Sequence, residues 1–308
     1  MDNNKEKNFV SAVVYIHNNA STIIDFITSL DRELKENFLK YEIVIVDDYS
    51  EDNSEELIKQ YGNHRDGAVI SLLKMSNYHG LEKSMNAGLN LAIGDFVFEF
   101  DYADAEFDWN LLMEIYRKSL SGYDIVNGMP NKKPSFCLGK YMNLFNRYAR
   151  LQHPMGIDIC RVLSRRAINR VHSITQTIPF RKVAYANCGL ALSSVNYDTI
   201  KKLPKSARSV TISQATESFI LFTDLFFRLT LYSALIMMFI AIGMGLYALI
   251  LNFFRAPVEG WTTTVVFLSL GFMGMFFMMA MILKYQQVQV NLAFRKKEYL
   301  FESITKLQ

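Results

Sequence analysis

The sequence predicts an α/β chain: a mostly parallel sheet flanked by helices, then an interfacial helix and a two-helix transmembrane hairpin. Three observations predict it. Short β-branched runs alternate with helical patterns between Phe9 and Val126. Two acidic clusters each follow an apolar strand directly. Beyond Ser206 charge disappears from two long stretches.

The elements follow in chain order. Phe9–Ile16 is apolar and β-branched and reads as a strand. Ser21–Asn37 places Ile23, Ile24, Ile27, Leu30 and Leu34 at helical spacing, with Ser21 as the N-cap. Tyr41–Val46 is a second strand, Ser54–Tyr61 a short helix and Ala68–Leu73 a third strand. Leu81–Ala92 is helical until Gly94-Asp95 breaks it. Phe96–Phe100 is a fourth strand, Trp109–Leu120 a helix and Tyr123–Val126 a fifth strand. Strictly alternating strands and helices imply parallel pairing with helices on both faces.

The second half reads differently. Leu229–Phe254 holds 26 residues without a charge, and Gly260–Leu283 holds 24. Each exceeds the roughly 20 residues that a helix needs to cross about 30 Å of hydrocarbon. The link between them is only Arg255-Ala-Pro-Val-Glu259, so the two form a hairpin whose ends share one side. The tail carries Lys284, Arg295, Lys296, Lys297 and Lys306 against Glu298 and Glu302, which marks that side as cytoplasmic. Trp261 and Tyr285 bracket the second span, where amphipathic rings favour the interface. Before the first span, Phe219, Phe222, Leu225 and Phe226 fall on one helical face and Glu217, Asp224 and Arg228 on another, the pattern of a helix lying among headgroups. The N-terminus is polar and does not read as a signal peptide. The expected organisation is a cytoplasmic domain over 1–206, a juxtamembrane helix over 207–228, spans over 229–254 and 260–283, and a basic tail over 284–308. This is a multi-pass protein of the cytoplasmic membrane with both termini inside.

Composition narrows the function. The 308 residues suggest about two structural units. A net charge of +3 argues against a nucleic-acid partner, which would need a broad basic field. Cys137, Cys160 and Cys188 are too few and too dispersed for a zinc knuckle or a disulfide framework. No GxGxxG, GxxxxGK[ST] or HExxH occurs, which disfavours dinucleotide, P-loop and zincin chemistry.

In a parallel sheet, ligands bind beyond the carboxyl ends of the strands. The second strand runs into Asp47-Asp48-Tyr49-Ser50-Glu51-Asp52, and the fourth into Asp101-Tyr102-Ala103-Asp104-Ala105-Glu106. Two carboxylate clusters at the expected edge make that rim the candidate site. The ordered features resemble a family 2 glycosyltransferase of GT-A fold. The set comprises His17-Asn18-Asn19, Val46-Asp47-Asp48-Tyr49-Ser50-Glu51-Asp52, the spaced Gly80, Asn86 and Gly88, the strand ending at Asp101, and Arg161-Val-Leu-Ser-Arg165-Arg166, which looks like the family's basic helix start. With Gly260-Trp261-Thr262 opening an apolar hairpin, the chain is similar, more narrowly, to polyprenyl-phosphate glycosyltransferases. It departs from that pattern at Tyr15, Asn19, Tyr49 and Asn77-Tyr78-His79, and Ala103 stands where the second DxD carboxylate belongs.

The resemblance implies transfer of a sugar from a nucleotide donor to a polyprenyl phosphate in the membrane, for cell-surface glycan synthesis. It implies Mg²⁺ or Mn²⁺ held by Asp101 with Asp104 and Glu106. It implies a donor site of Asn18, Asp47, Asp48, Asp52, Gly80, Asn86, Arg165 and Arg166. Asp101, Asp158 and Arg161 would carry the chemistry, and loss of the Asp101 carboxylate or chelation of the metal would stop it. Relatives suggest a homo-oligomer formed through the hairpins. Two other classes fit the residues less fully: an accessory subunit of a glycan-assembly system that has lost catalysis, and a processive synthase, which would call for more spans and a QxxRW-type helix.

Overall fold

Why the first strand can be apolar throughout is clear once its neighbours are seen. In the computed structural model β1 (Glu6–Ile16) lies between two parallel strands, β2 (Phe38–Asp47) and β4 (Phe96–Phe100). It is therefore buried on both faces, as parallel strands are. Val10, Ala12, Val14 and Ile16 enter one core layer, while Val13 and Tyr15 enter the other. The structure describes residues 5–63, 69–132, 136–149, 151–174, 180–200, 260–294 and 301–307, with a few single positions between 223 and 240.

The first layer receives α1 (Ile23–Asn37), which buries Ile23, Phe26, Ile27, Leu30 and Leu34, and α4 (Asn110–Leu120). The helix cap of α1 is Thr22 rather than Ser21, and it makes no side-chain cap bond; the Asn19 carbonyl accepts from the Thr22 and Ile23 amides instead. The second layer receives α3 (Leu81–Leu91), α6 (Arg165–Ile174) and α7 (Arg181–Ala186). Gly94, in the turn into β4, sets how closely that turn meets β1. A Cβ there would lie 2.5 Å from the Ser11 amide nitrogen, a backbone atom that cannot swing aside. The remaining elements of this first half are α2 (Ser54–Asn63), β3 (Val69–Met75) and β5 (Ile125–Pro130).

The eight-stranded sheet runs β7-β5-β6-β4-β1-β2-β3-β8. Its left half differs from a simple alternation. β6 (Cys160–Ser164) inserts antiparallel between β4 and β5, and β7 (Leu192–Tyr197) joins β5 in parallel. The basic segment expected to open a helix is thus a buried strand up to Ser164, and α6 starts only at Arg165. Alternation explains it: Cys160 and Val162 enter one layer and Leu163 the other. α5 (Phe136–Tyr148) precedes β6. The last strand, β8 (Phe301–Leu307), pairs antiparallel with the outer edge of β3.

The chain divides into two compact units, one of residues 1–146, 151–210 and 296–308, the other of 147–150 and 211–295. In the second, α8 (Trp261–Phe294) is a continuous helix of 34 residues over the second uncharged run. Several of its side chains fall outside the described residues, and among those described no helix is long and apolar enough to cross a membrane. The interfacial helix expected over 207–228 and the first span over 229–254 lie outside the described residues, isolated positions apart.

Candidate active site

Parallel pairing puts both acidic clusters on one rim. β1 is parallel to β2 and to β4, with Ile16 opposite Asp47 and Val14 opposite Phe100. Asp47, Asp48 and Asp101 therefore emerge from the same edge of the sheet, on either side of the β1 terminus.

The β2 cluster is built by its own loop. Asp47 is fully buried; its Oδ1 accepts from the Ser50 amide at 3.0 Å and the Ser50 hydroxyl at 2.5 Å, and its Oδ2 has no hydrogen-bond partner. Burial raises its pKa against the pull of those Ser50 bonds. Asp48 accepts from the His79 and Gly80 amides, both at 2.8 Å, and from the Tyr15 hydroxyl at 3.0 Å. It thereby ties the segment before α3 to the rim, and Gly80 adopts the left-handed φ of +86° that lets its amide turn toward Asp48. Asn18, also at positive φ, accepts from the Glu51 amide. Asp52 accepts from the Ala20 and Ser54 amides and the Ser54 hydroxyl. Asn86 is buried within α3. The structure thus brings Asn18, Asp47, Asp48, Asp52 and Gly80 together, with most of their polar atoms holding loops.

The β4 cluster has a different character. Val97, Glu99 and Asp101 alternate onto one face of β4, and Arg161 lies directly opposite Glu99 on β6. Arg161 is buried and spans three carboxylates: Nη1 to Glu99 at 2.5 Å, Nη2 to Asp101 at 2.6 Å and Nε to Asp158 at 2.6 Å. A second buried arginine, Arg181 at the start of α7, donates to Glu99 and Asp101, each at 2.9 Å, and to Glu82 at 3.1 Å. The Tyr185 hydroxyl donates to Glu99 at 2.7 Å. Lys182 Nζ stands 3.5 Å from Asp101 and 3.6 Å from Asp158. Burial alone would raise the Asp101 pKa, but Arg161, Arg181 and Lys182 outweigh it and hold the carboxylate well below its usual range. The two arginines are held in turn as permanent cations.

This arrangement bears on the metal. Both Asp101 oxygens already accept guanidinium N–H bonds, and Ala103 is buried without a carboxylate to offer. Glu106 is buried and accepts from the Tyr197 hydroxyl at 2.6 Å, and among the described residues no three His, Cys, Asp or Glu side chains converge as a metal would require. As arranged, Asp101, Asp104 and Glu106 do not fit a resident divalent ion.

Arg165 and Arg166 are not at this rim. β6 runs antiparallel to β4, so Ser164 lies opposite Phe96 at the amino end of β4. Arg165 donates to the Ala92 and Gly94 carbonyls, and Arg166 to Asp124. The reversal of β6 places both on the edge away from Asp101, which corrects the expectation that they hold donor phosphate. Glu82, Glu99, Arg181, Lys182 and Tyr185 were not singled out by sequence reasoning. Glu99 did leave a signal, since one acid inside Phe-Val-Phe-Glu-Phe demands a buried partner. Arg181 and Lys182 left none, because they reach the site from a helix of six residues.

Comparison with known proteins agrees with this geometry. The family model described as glycosyl transferase family 2 matches residues 11–172, more than half of the chain. An undecaprenyl-phosphate 4-deoxy-4-formamido-L-arabinose transferase of Proteus mirabilis is 30% identical over 119 residues, 39% of this chain and 36% of that protein. One of the same name from Aeromonas hydrophila is 28% identical over 149 residues, 47% of this chain and 44% of that protein. The matches thus span less than half the length of these curated relatives. A solved mannosyltransferase from Pyrobaculum calidifontis, in complex with GDP-Man and Mn²⁺, shares the fold at a TM-score of 0.51 and 16% identity, over 70% of this chain and 63% of that one. With its mostly parallel sheet, its two acidic loops on one rim and this family match, the chain belongs to glycosyl transferase family 2.

Proposed function

We propose that the chain transfers a sugar from a nucleotide-sugar donor to a polyprenyl phosphate carrier, as a step in cell-surface glycan synthesis. The observation that carries this reading is the likeness to the undecaprenyl-phosphate sugar transferases, beside a family match over residues 11–172, which include the acidic rim.

The chemistry asks little of a base. The acceptor phosphate is anionic at neutral pH, so one of its oxygens attacks the anomeric carbon directly. The bond from that carbon to the donor diphosphate breaks, and the electron pair leaves with the nucleoside diphosphate. Catalysis is then mainly positioning and charge stabilisation. Asn18 and the Gly80 segment stand on the part of the rim that would meet the nucleoside, with Asp47 buried and bonded to Ser50. Asp158 and Lys182 line a small cavity with Asn127, Met155 and Tyr185, beside Asp101.

A membrane location is part of the same proposal. A polyprenyl tail stays in the bilayer because each buried CH₂ contributes about 0.8 kcal/mol. The enzyme must therefore reach the lipid, and the uncharged runs at 229–254 and 260–283 suit that purpose. The return of β8 to the sheet also favours an even number of crossings, because both ends of the apolar segment rejoin the first unit. Self-association through the hairpins extends this proposal.

The guanidinium-paired Asp101 and the buried Ala103 favour one second reading, a catalytically silent subunit of a glycan-assembly system. Membranes containing the chain decide between them when supplied with labelled UDP-glucose, UDP-N-acetylglucosamine or GDP-mannose. Label entering an organic-extractable, mild-acid-labile lipid supports transfer. Absence of transfer from any donor, with no nucleotide binding by calorimetry, supports the silent subunit.

A further inference from the structure

We propose that Arg161, Arg181 and Lys182 stand in place of a divalent ion at Asp101, so that this rim takes up neither Mg²⁺ nor Mn²⁺ and meets the donor diphosphate with side-chain cations. The second half of this statement rests on the transfer reading above; the first does not.

The case is one of occupancy and charge. A divalent ion needs carboxylate lone pairs at short range, about 2.0–2.1 Å for Mg²⁺. Each Asp101 oxygen instead faces a guanidinium nitrogen, Oδ2 that of Arg161 at 2.6 Å and Oδ1 that of Arg181 at 2.9 Å. Lys182 adds a third positive charge 3.5 Å from Oδ2. An incoming dication would meet three fixed cations and would have to displace at least one.

Displacement is opposed by what each arginine also holds. Moving Arg161 would strip Glu99 and Asp158 of a buried partner. Moving Arg181 would strip Glu99 and Glu82, and the Arg181 backbone amide is itself bonded to Glu82 at 2.8 Å. A buried carboxylate left without its cation is strongly unfavourable. The arginines are thus built in, and Ala103 is buried where a second DxD carboxylate would stand, so no further acid competes for them.

Lys182 is the exposed end of the network. Its side chain is 18% accessible, against 0% for both arginines, and it lines the cavity beside Asp158. An ammonium between two carboxylates and facing a cavity is placed to contact an anionic substrate group, which is the duty a bound ion would otherwise perform.

The test uses the full chain in detergent micelles. Manganese is titrated and free Mn²⁺ followed by electron paramagnetic resonance, with Asp101→Asn alongside. Free signal that rises as in a protein-free sample supports the proposal, as does uptake that Asp101→Asn leaves unchanged. Saturable uptake abolished by Asp101→Asn overturns it. Calorimetry of UDP and GDP then reads the donor side. Affinity in EDTA within about twofold of that in Mn²⁺, and weakened about tenfold or more by Lys182→Met as one charge-assisted hydrogen bond is lost, supports the proposal. Binding that requires Mn²⁺ overturns it. A chain that binds neither nucleotide under any condition refutes the transfer reading alone, and the manganese titration still decides the metal.

Discussion

Arg161 carries more of the site than any other side chain. One planar guanidinium joins β4 to β6 through Glu99 and to the loop before β6 through Asp158. Removing it leaves three carboxylates without their shared cation. Arg161→Ala should therefore lower the unfolding free energy by about 3–5 kcal/mol, the cost typical of breaking a buried pair. Arg161→Lys should recover little, since an ammonium lacks the fork that reaches three acids. Chemical denaturation of the purified variants checks both, and a loss below about 1 kcal/mol, as at a surface pair, would contradict the account. The pH dependence has a definite sign. Asp101 in the folded chain lies below its ordinary value because three nearby cations outweigh its burial. Its stabilising contribution is then fully present above the unfolded carboxylate range of about 4 and is lost as pH falls through the lower folded value. Denaturation midpoints should show no pH dependence from this group between about pH 5 and 8, where its contribution is constant, and an acid-side decline that Asp101→Asn reduces. Much at this scale was legible. Asp47, Asp48 and Asp101 could be placed on one rim from strand order alone, and Glu99 announced a partner by its apolar neighbours. Its cations were not legible, because Arg161 and Arg181 are separated from Glu99 by 62 and 82 residues and no local pattern links them.

Among the elements, those of the first half could be read from periodicity because each follows its own local rule. β1, β2 and β4 are apolar runs buried on both faces, and α1 and α3 carry one apolar stripe. β6 could not be read that way. Arg161, Arg165 and Arg166 made the segment look like an exposed basic helix, whereas Arg161 is paired inside the sheet and the helix begins only after Ser164. That reversal moved Arg165 and Arg166 to the far edge. At this scale Gly94 offers a sharp test. Its turn meets the β1 backbone, and its amide donates to the Ser11 hydroxyl at 2.8 Å, which in turn donates to Glu42 at 2.5 Å. Gly94→Ala must push two strands apart and should cost about 1–3 kcal/mol, the usual penalty of overpacking. Gly122→Ala, where a Cβ meets nothing within 4 Å, is the control for close approach, its φ of +107° leaving only backbone strain. Equal urea midpoints for Gly94→Ala and the parent chain would show that the turn is looser than described.

For the whole molecule, the last strand is the informative feature. β8 covers the outer edge of β3, an edge that would otherwise present unpaired backbone groups. Truncation after residue 300 should raise aggregation on heating and lower the thermal midpoint, which light scattering during a melt would record; an unchanged melt would mean that the strand is dispensable. No sequence pattern foretold this strand, because Phe301–Leu307 sits in a basic tail and its apolar residues acquire meaning only beside β3. The two uncharged runs, by contrast, were plain from the absence of charge alone. The central claim is that the acidic rim moves sugar onto a membrane-held phosphate. The most direct measurement supplies labelled nucleotide sugars and undecaprenyl phosphate to the purified full chain and follows radiolabelled lipid by thin-layer chromatography. The account predicts a mild-acid-labile glycolipid from at least one donor, formed equally well in EDTA and reduced about tenfold or more in Lys182→Met at limiting donor. Failure of every donor to yield lipid-linked sugar, from protein that is folded and carries its tail, would contradict it.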